Sequence, residues 1–91
     1  MTVRLRADVS TTDTGEGMVV LDERAGRYWQ LNQTGALVLR LLLDGVAPHQ
    51  IARVLAERHA VRIERAAADV TTFLAQLRTA GLVTDHPRGR S

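Results

Sequence analysis

Apolar and polar residues alternate along the first third of the chain with a period of two, which predicts β-strands. The alternation is clean over residues 3–9, and shorter strand-like runs follow at 18–21 and 27–31. Residues 10–17 are rich in Ser, Thr, Asp and Gly and predict a loop, whereas the turn that ends near Gly26 suits a hairpin. We therefore predict three strands.

The third predicted strand carries Tyr28 and Trp29, two of the three aromatic residues in the protein. Alternation turns Trp29 and Leu31 inward and Tyr28 and Gln30 outward. If this strand lies at the edge of the sheet, its unpaired backbone groups can accept an extended peptide as an added strand. The alternative is that Trp29 and Leu31 serve only the core and that Tyr28 covers a neighbour.

From residue 33 onward the apolar spacing changes to that of helices. Asn32 is a suitable N-cap for a helix over 33–43, Pro48 suits the first turn of a helix over 48–59, and a third helix is predicted over 63–80. Glycines follow the first and third helices, where they commonly end helices. The predicted fold is α+β and winged helix-turn-helix-like, a three-stranded antiparallel sheet followed by three helices.

The chain has 91 residues, which corresponds to one domain. We predict a single domain over residues 1–83 and a disordered tail over 84–91, because the tail shows no apolar periodicity. Hydrophobic residues make up 45% and charged residues 24%, which is an ordinary globular composition. No stretch approaches the roughly 20 apolar residues of a membrane-spanning helix, and no signal peptide is evident, so we expect a cytoplasmic protein without membrane contact.

Candidate chemistry in the sequence is sparse. The protein has no cysteine, which excludes disulfides, thiolate metal sites and a cysteine nucleophile. His49, His59 and His86 stand on different predicted segments, and no neighbouring carboxylate completes a metal-binding set. The adjacent carboxylates Asp22 and Glu23 point apart in a turn. We predict no catalytic site, no metal and no cofactor, and therefore no enzyme.

Nucleic-acid binding is the main alternative, because a helical trio with a strand hairpin is a common DNA-reading architecture. The net charge is only +2, and the first turns of the third helix place Glu64 and Asp69 beside Arg65. Carboxylates there would repel phosphates. We expect no nucleic-acid partner and keep a winged-helix DNA-binding protein as the alternative.

The order of several short segments resembles that of a known family over about residues 18–83. These segments are the run GRYWQLNxTGA at 26–36, a leucine-rich helix, Asp44-Gly45, a helix with Ile51 and Leu55, AADV at 67–70, Phe73-Leu74-x-x-Leu77 and Gly81-Leu82. The chain resembles the PqqD-like family, whose members are RiPP recognition elements, small winged-helix-like domains that hold the leader of a ribosomally made precursor peptide. It most resembles the stand-alone leader-binding B proteins of lasso peptide biosynthesis.

The resemblance implies a non-catalytic protein whose third strand receives the leader as an antiparallel strand, with the third helix alongside. Carried onto this chain, it implies leader-binding residues on those two elements: Arg27, Tyr28, Trp29, Gln30, Leu31, Asp69, Val70, Phe73 and Leu77. The implied partners are the precursor leader peptide and a cysteine protease of the same pathway, with the cyclase as a further candidate. Because the chain ends at Ser91 and has no cysteine, we expect that protease to be a separate protein.

Overall fold

A computed structural model of the chain describes residues 2–86, without the side chains of Thr2 and His86. Within this range four strands are followed by three helices and a last strand. The elements are β1 (Thr2–Leu5), β2 (Val9–Thr14), β3 (Gly17–Asp22), β4 (Arg27–Asn32), α1 (Gln33–Leu43), α2 (Pro48–His59), α3 (Ile63–Thr79) and β5 (Val83–His86).

The main sheet has the order β2-β3-β4, with both pairings antiparallel. In its register Val20 lies opposite Trp29, and Leu21 lies opposite Tyr28. Because β3 is the central strand, β4 is an edge strand. The predicted fold class, a three-stranded antiparallel sheet followed by three helices, is confirmed.

The predicted first strand and the loop after it are wrong. Residues 3–9 are not one strand: β1 ends at Leu5, and the chain turns through Asp8, which has a φ of 69°. Aspartate is one of the few residues that adopts this left-handed conformation readily. Residues 10–14, predicted as a loop, belong to β2. The polarity of this strand concealed it, because most of its side chains are exposed on both faces.

The predicted tail also begins too early. Residues 84–86, which lie within the predicted tail, form part of β5 and pair with β1 as a separate two-stranded antiparallel sheet. Val83 lies opposite Leu5 and is 4% exposed, so this short sheet is joined to the core. Residues 87–91 of the predicted tail lie outside the described residues.

The predicted helices are confirmed almost to the residue, because their end signals are local. The Asn32 side chain accepts a hydrogen bond of 2.8 Å from the Gly35 amide and caps α1. Pro48 stands at the first turn of α2. Gly81 follows α3 with a φ of 75°, and the Leu82 amide donates to the Leu77 carbonyl at 3.0 Å.

The core lies between the three helices and the inner faces of the two sheets. Its fully buried side chains include Leu39 and Leu42 of α1, Ile51 of α2 and Val20 of β3. Trp29 and Leu31 are half-buried and contact this cluster from β4. Among residues 2–86, no helix is long and apolar enough to cross a membrane.

Candidate functional site

The outer edge of β4 is open. In the described part of the chain β4 pairs only with β3, since β1 pairs with β5 and β2 takes the far edge of β3. In an edge strand every second residue directs its N–H and C=O groups away from the neighbouring strand. This edge therefore offers backbone donors and acceptors to an added strand.

A groove of about 720 Å³ borders the C-terminal half of β4. One wall is formed by β4 and the first turn of α1, the opposite wall by α3, and the end by α2 and the turn after it. The lining residues are Gln30, Leu31, Asn32, Thr34, Gly35, Val38, Leu55, His59, Val61, Arg65, Ala66, Asp69, Val70, Thr72, Phe73 and Gln76. The edge and the groove are therefore adjacent features of one surface.

The groove has an apolar floor and a polar rim. Val38, Leu55 and Val70 are buried and belong to the protein core, whereas Phe73 is half-buried. Exposed side chains, among them that of Gln30, surround these residues. An apolar floor with few polar groups at its margin is typical of a site that takes apolar side chains of a ligand.

The helical period of α3 explains why it forms a wall. The α3 residues that line the groove recur at spacings of three and four, which places them on one face of the helix. The neighbouring face, which includes Leu74 and Leu77, is buried in the core. One helix thus stabilises the fold with one stripe of side chains and shapes the groove with the next.

Charges at the groove are few and exposed. The Arg65 guanidinium lies 3.8 Å from the Asp69 carboxylate, one turn further along α3, and both side chains are mostly in solvent. Such a pair contributes little to stability. It places one cation and one anion at the rim, within reach of the charged groups of a bound peptide.

The first half of β4 lies outside the groove. Arg27 stacks over the Trp29 ring, with its guanidinium carbon 5.0 Å from the ring centroid. Tyr28 is 67% exposed, and its cross-strand neighbour Leu21 is 37% exposed. Tyr28 and Leu21 therefore form an apolar pair on the solvent face of the sheet.

The structure brings together five of the nine residues that we predicted for the site. These five line the groove: Gln30, Leu31, Asp69, Val70 and Phe73. Arg27, Tyr28 and Trp29 belong to the open-edge strand but not to the groove lining. Leu77 is 4% exposed and lies in the core. That these residues contact a leader stays a prediction.

The sequence prediction missed the contributions of α1 and α2. Thr34, Gly35 and Val38 come from α1, and Leu55 and His59 come from α2. Val38 and Leu55 fit the apolar core-facing stripes of their own helices, so the sequence pattern does not distinguish them from ordinary core residues. The Thr34-Gly35 pair is the available signal, because it lies in the first turn of α1, two and three residues after the cap residue Asn32 at the end of the edge strand.

Metal chemistry has no support in the described range. Among residues 3–85, whose side chains the structure describes, no three His, Asp or Glu side chains are grouped so that they could hold a metal ion. In the same range, no polar side-chain atom is buried without a hydrogen-bond partner. The site thus consists of an open strand edge and a mainly apolar groove.

Comparison with known proteins identifies the family. The family model of coenzyme PQQ synthesis protein D (PqqD) matches residues 17–83. No curated protein sequence is significantly similar to the chain. Among solved structures, lasso peptide synthetase B1 complexed with the leader peptide is 38% identical, with a TM-score of 0.88 over 93% of this chain and 100% of that chain.

A second solved structure, TbiB1 in complex with the TbiA(beta) leader peptide, shares the fold. It has a TM-score of 0.82 at 22% identity and covers 96% of this chain and 99% of that chain. The family match includes β3, β4 and all three helices, and thus every element that forms the groove. This chain belongs to the PqqD family.

Proposed function

We propose that this protein is a non-catalytic RiPP recognition element that binds the leader segment of a precursor peptide, and that the precursor is that of a lasso peptide. The observation that carries the proposal is the open edge of β4 beside a groove walled by α3. Two proteins of the same fold, one of them 38% identical, have been solved in complex with leader peptides.

In the proposed mode the leader becomes an antiparallel fourth strand of the main sheet, next to β4. Backbone hydrogen bonds from Arg27–Asn32 hold it in register. Since successive side chains of a strand alternate between faces, every second leader side chain points towards the groove. Val70 and Phe73 then contact these side chains from α3, while Trp29 and Leu77 support the two walls from beneath.

The expected affinity follows from a few such interactions. Each backbone bond contributes about 1 kcal/mol net, and each buried apolar anchor about 1.5–3 kcal/mol. Three bonds and three anchors give at most about 12 kcal/mol, so that after roughly 4 kcal/mol for ordering the peptide the dissociation constant is on the order of a micromolar. Arg65 and Asp69 add charge selectivity at the rim of the groove, and Arg27 adds it at the start of β4, outside the groove.

The bound leader is, in our proposal, presented to other enzymes. The first proposed partner is a separate cysteine protease of the same pathway, which removes the leader; the 91 residues themselves carry no cysteine. The cyclase of the pathway is a further candidate partner. Because the precursor is made on ribosomes, we place the encounter in the cytoplasm.

The DNA-binding alternative receives no support from the comparisons or from the surface of α3. Two of the arginines near the start of this helix have acidic neighbours: Arg62 lies 3.6 Å from Glu64, and Arg65 lies 3.8 Å from Asp69. In a complex with nucleic acid these carboxylates would lie as close to the phosphates as the arginines do, and they would repel them.

The proposal is tested by titrating the isotope-labelled protein with a synthetic leader of the precursor encoded beside its gene. The control is a scrambled peptide of the same composition. We expect the amide signals of β4 and of the α3 face that lines the groove to shift with the leader alone. Shifts confined to other elements, or equal shifts with the scrambled peptide, would refute the proposal.

A further inference from the structure

Gly35 is a glycine that the backbone of α1 does not require. It is the third residue of the helix, and its φ is not in the left-handed region. A glycine in a helix is less stabilising than alanine, because it loses more conformational freedom on folding. Its presence in the first turn therefore calls for a reason outside the helix.

The reason lies in the space that its missing side chain leaves. A Cβ at Gly35 would lie 3.4 Å from the Cβ of Leu31, 3.4 Å from the capping Oδ1 of Asn32 and 3.6 Å from Cε1 of Phe73, all ordinary contact distances. Leu31 belongs to the β4 wall of the groove and Phe73 to the α3 wall. A single added methyl group would thus touch both walls at once. It would close the groove at this point without forcing any protein atom to move far.

Other glycines of the chain differ in this respect. A Cβ at Gly15, Gly26, Gly45 or Gly81 would meet no atom within 4 Å, and a Cβ at Gly17 would meet the backbone of β4. Gly26, Gly45 and Gly81 have positive φ values, which glycine adopts readily. Gly35 alone among these six combines an ordinary helical backbone with a position between two groove walls.

We propose that Gly35 is a specificity-determining residue, which keeps open a slot between Leu31 and Phe73 for one large apolar side chain of the leader. The inference rests on the proposed function and adds to it the place and the size limit of an anchor. The slot is mainly apolar because its two walls and the adjoining floor, Val38 and Val70, are apolar, and Asn32 contributes one polar atom at its end. A leader whose side chain at this point is large fills the slot, and a methyl group from the protein competes for the same space.

The test compares Gly35→Ala with the wild-type protein. Gly15→Ala is the matched control, because it adds the same methyl group where no atom lies within 4 Å. We expect the melting temperature of Gly35→Ala to be unchanged or higher by up to about 5 °C. We expect its affinity for the synthetic leader to fall about tenfold or more, as overpacking of a filled site predicts. Gly15→Ala should bind as the wild type does.

A second series identifies the anchor. Each apolar residue of the synthetic leader is shortened to alanine in turn, and the peptide whose truncation weakens wild-type binding most defines the anchor residue. With Gly35→Ala the same truncation should weaken binding less than about threefold, because the added methyl already occupies the slot. Such non-additivity shows that the two groups share one space.

The results separate this inference from the proposed function. If the wild-type protein binds the leader through β4 but Gly35→Ala binds it within twofold of wild type, the inference is overturned and the proposed function stands. A drop in melting temperature of more than about 5 °C would also overturn it, since Gly35 would then be required by packing. If the wild-type protein does not bind the leader, both fail.

Discussion

Gly17→Ala should destabilise the protein, because Gly17 lies directly against the backbone of β4, the edge strand of the site. Gly17 pairs with Asn32 at the end of the β3–β4 ladder. A Cβ at this position would collide with the carbonyl oxygen of Leu31 and would lie 2.8 Å from the carbonyl carbon of Asn32. Both neighbours are backbone atoms of β4, so the collision is relieved only if the two strands separate.

The cost can be worked from what this separation breaks. Loss of one or two terminal ladder hydrogen bonds costs about 1 kcal/mol each. Displacement of Asn32 weakens the N-cap of α1, which typically contributes about 1 kcal/mol. The total is about 2–3 kcal/mol, and in a domain of this size each kcal/mol lowers the melting temperature by roughly 4–8 °C. We therefore expect a decrease of about 10–20 °C.

The assay is thermal unfolding followed by circular dichroism, with Gly15→Ala as the control. Gly15 lies two residues earlier in the β2–β3 turn, where an added Cβ meets open space. We expect Gly15→Ala to melt within a few degrees of the wild-type protein. If Gly17→Ala melts together with Gly15→Ala, the close approach of Gly17 to β4 is not a constraint and the reasoning is refuted.

Three further predictions concern the site and the turn beside it. Ala60 ends α2 in the left-handed conformation, with a φ of 54°, so Ala60→Gly should raise the free energy of unfolding by about 1 kcal/mol in a urea titration; an unchanged midpoint would contradict this. Phe73→Ala should weaken binding of the synthetic leader at least about tenfold. Tyr28→Ala, on the solvent face of the sheet, should weaken it about fivefold at most and leave the melting temperature unchanged. Calorimetric titration of both variants measures the two losses, and a greater loss with Tyr28→Ala would contradict the prediction. Leader affinity should change less than about threefold between 50 and 200 mM salt; a steeper loss would indicate binding dominated by charge.

The fold could be predicted from the sequence where local signals act alone. Asn32 and Pro48 determine where α1 and α2 begin through backbone chemistry within one turn. By contrast, β2 consists mainly of polar residues that are exposed on both faces, so its hydropathy pattern does not distinguish it from a loop. β5 is stabilised by pairing with β1 from the other end of the chain, which no local pattern encodes.

The site could be predicted only in part, for a related reason. The aromatic strand and the face of α3 with Val70 and Phe73 were indicated by the resemblance and by periodicity. Whether the edge of β4 is open depends on where β1 pairs, and this is decided by tertiary structure. Val38 and Leu55 line the groove with side chains that the sequence presents as ordinary core residues, since pocket floors and cores use the same residue types.

The most direct test of the account is a scan of the synthetic leader with single N-methyl groups. Each N-methyl group removes one backbone donor from the peptide and leaves the protein unchanged. If the leader adds to β4 as a strand, N-methylation at every second position of the paired segment should weaken binding about fivefold or more, because one hydrogen bond of about 1 kcal/mol is lost and the added methyl meets β4. The intervening positions should tolerate the group. Losses without this alternation, or no loss at any position, would contradict strand addition.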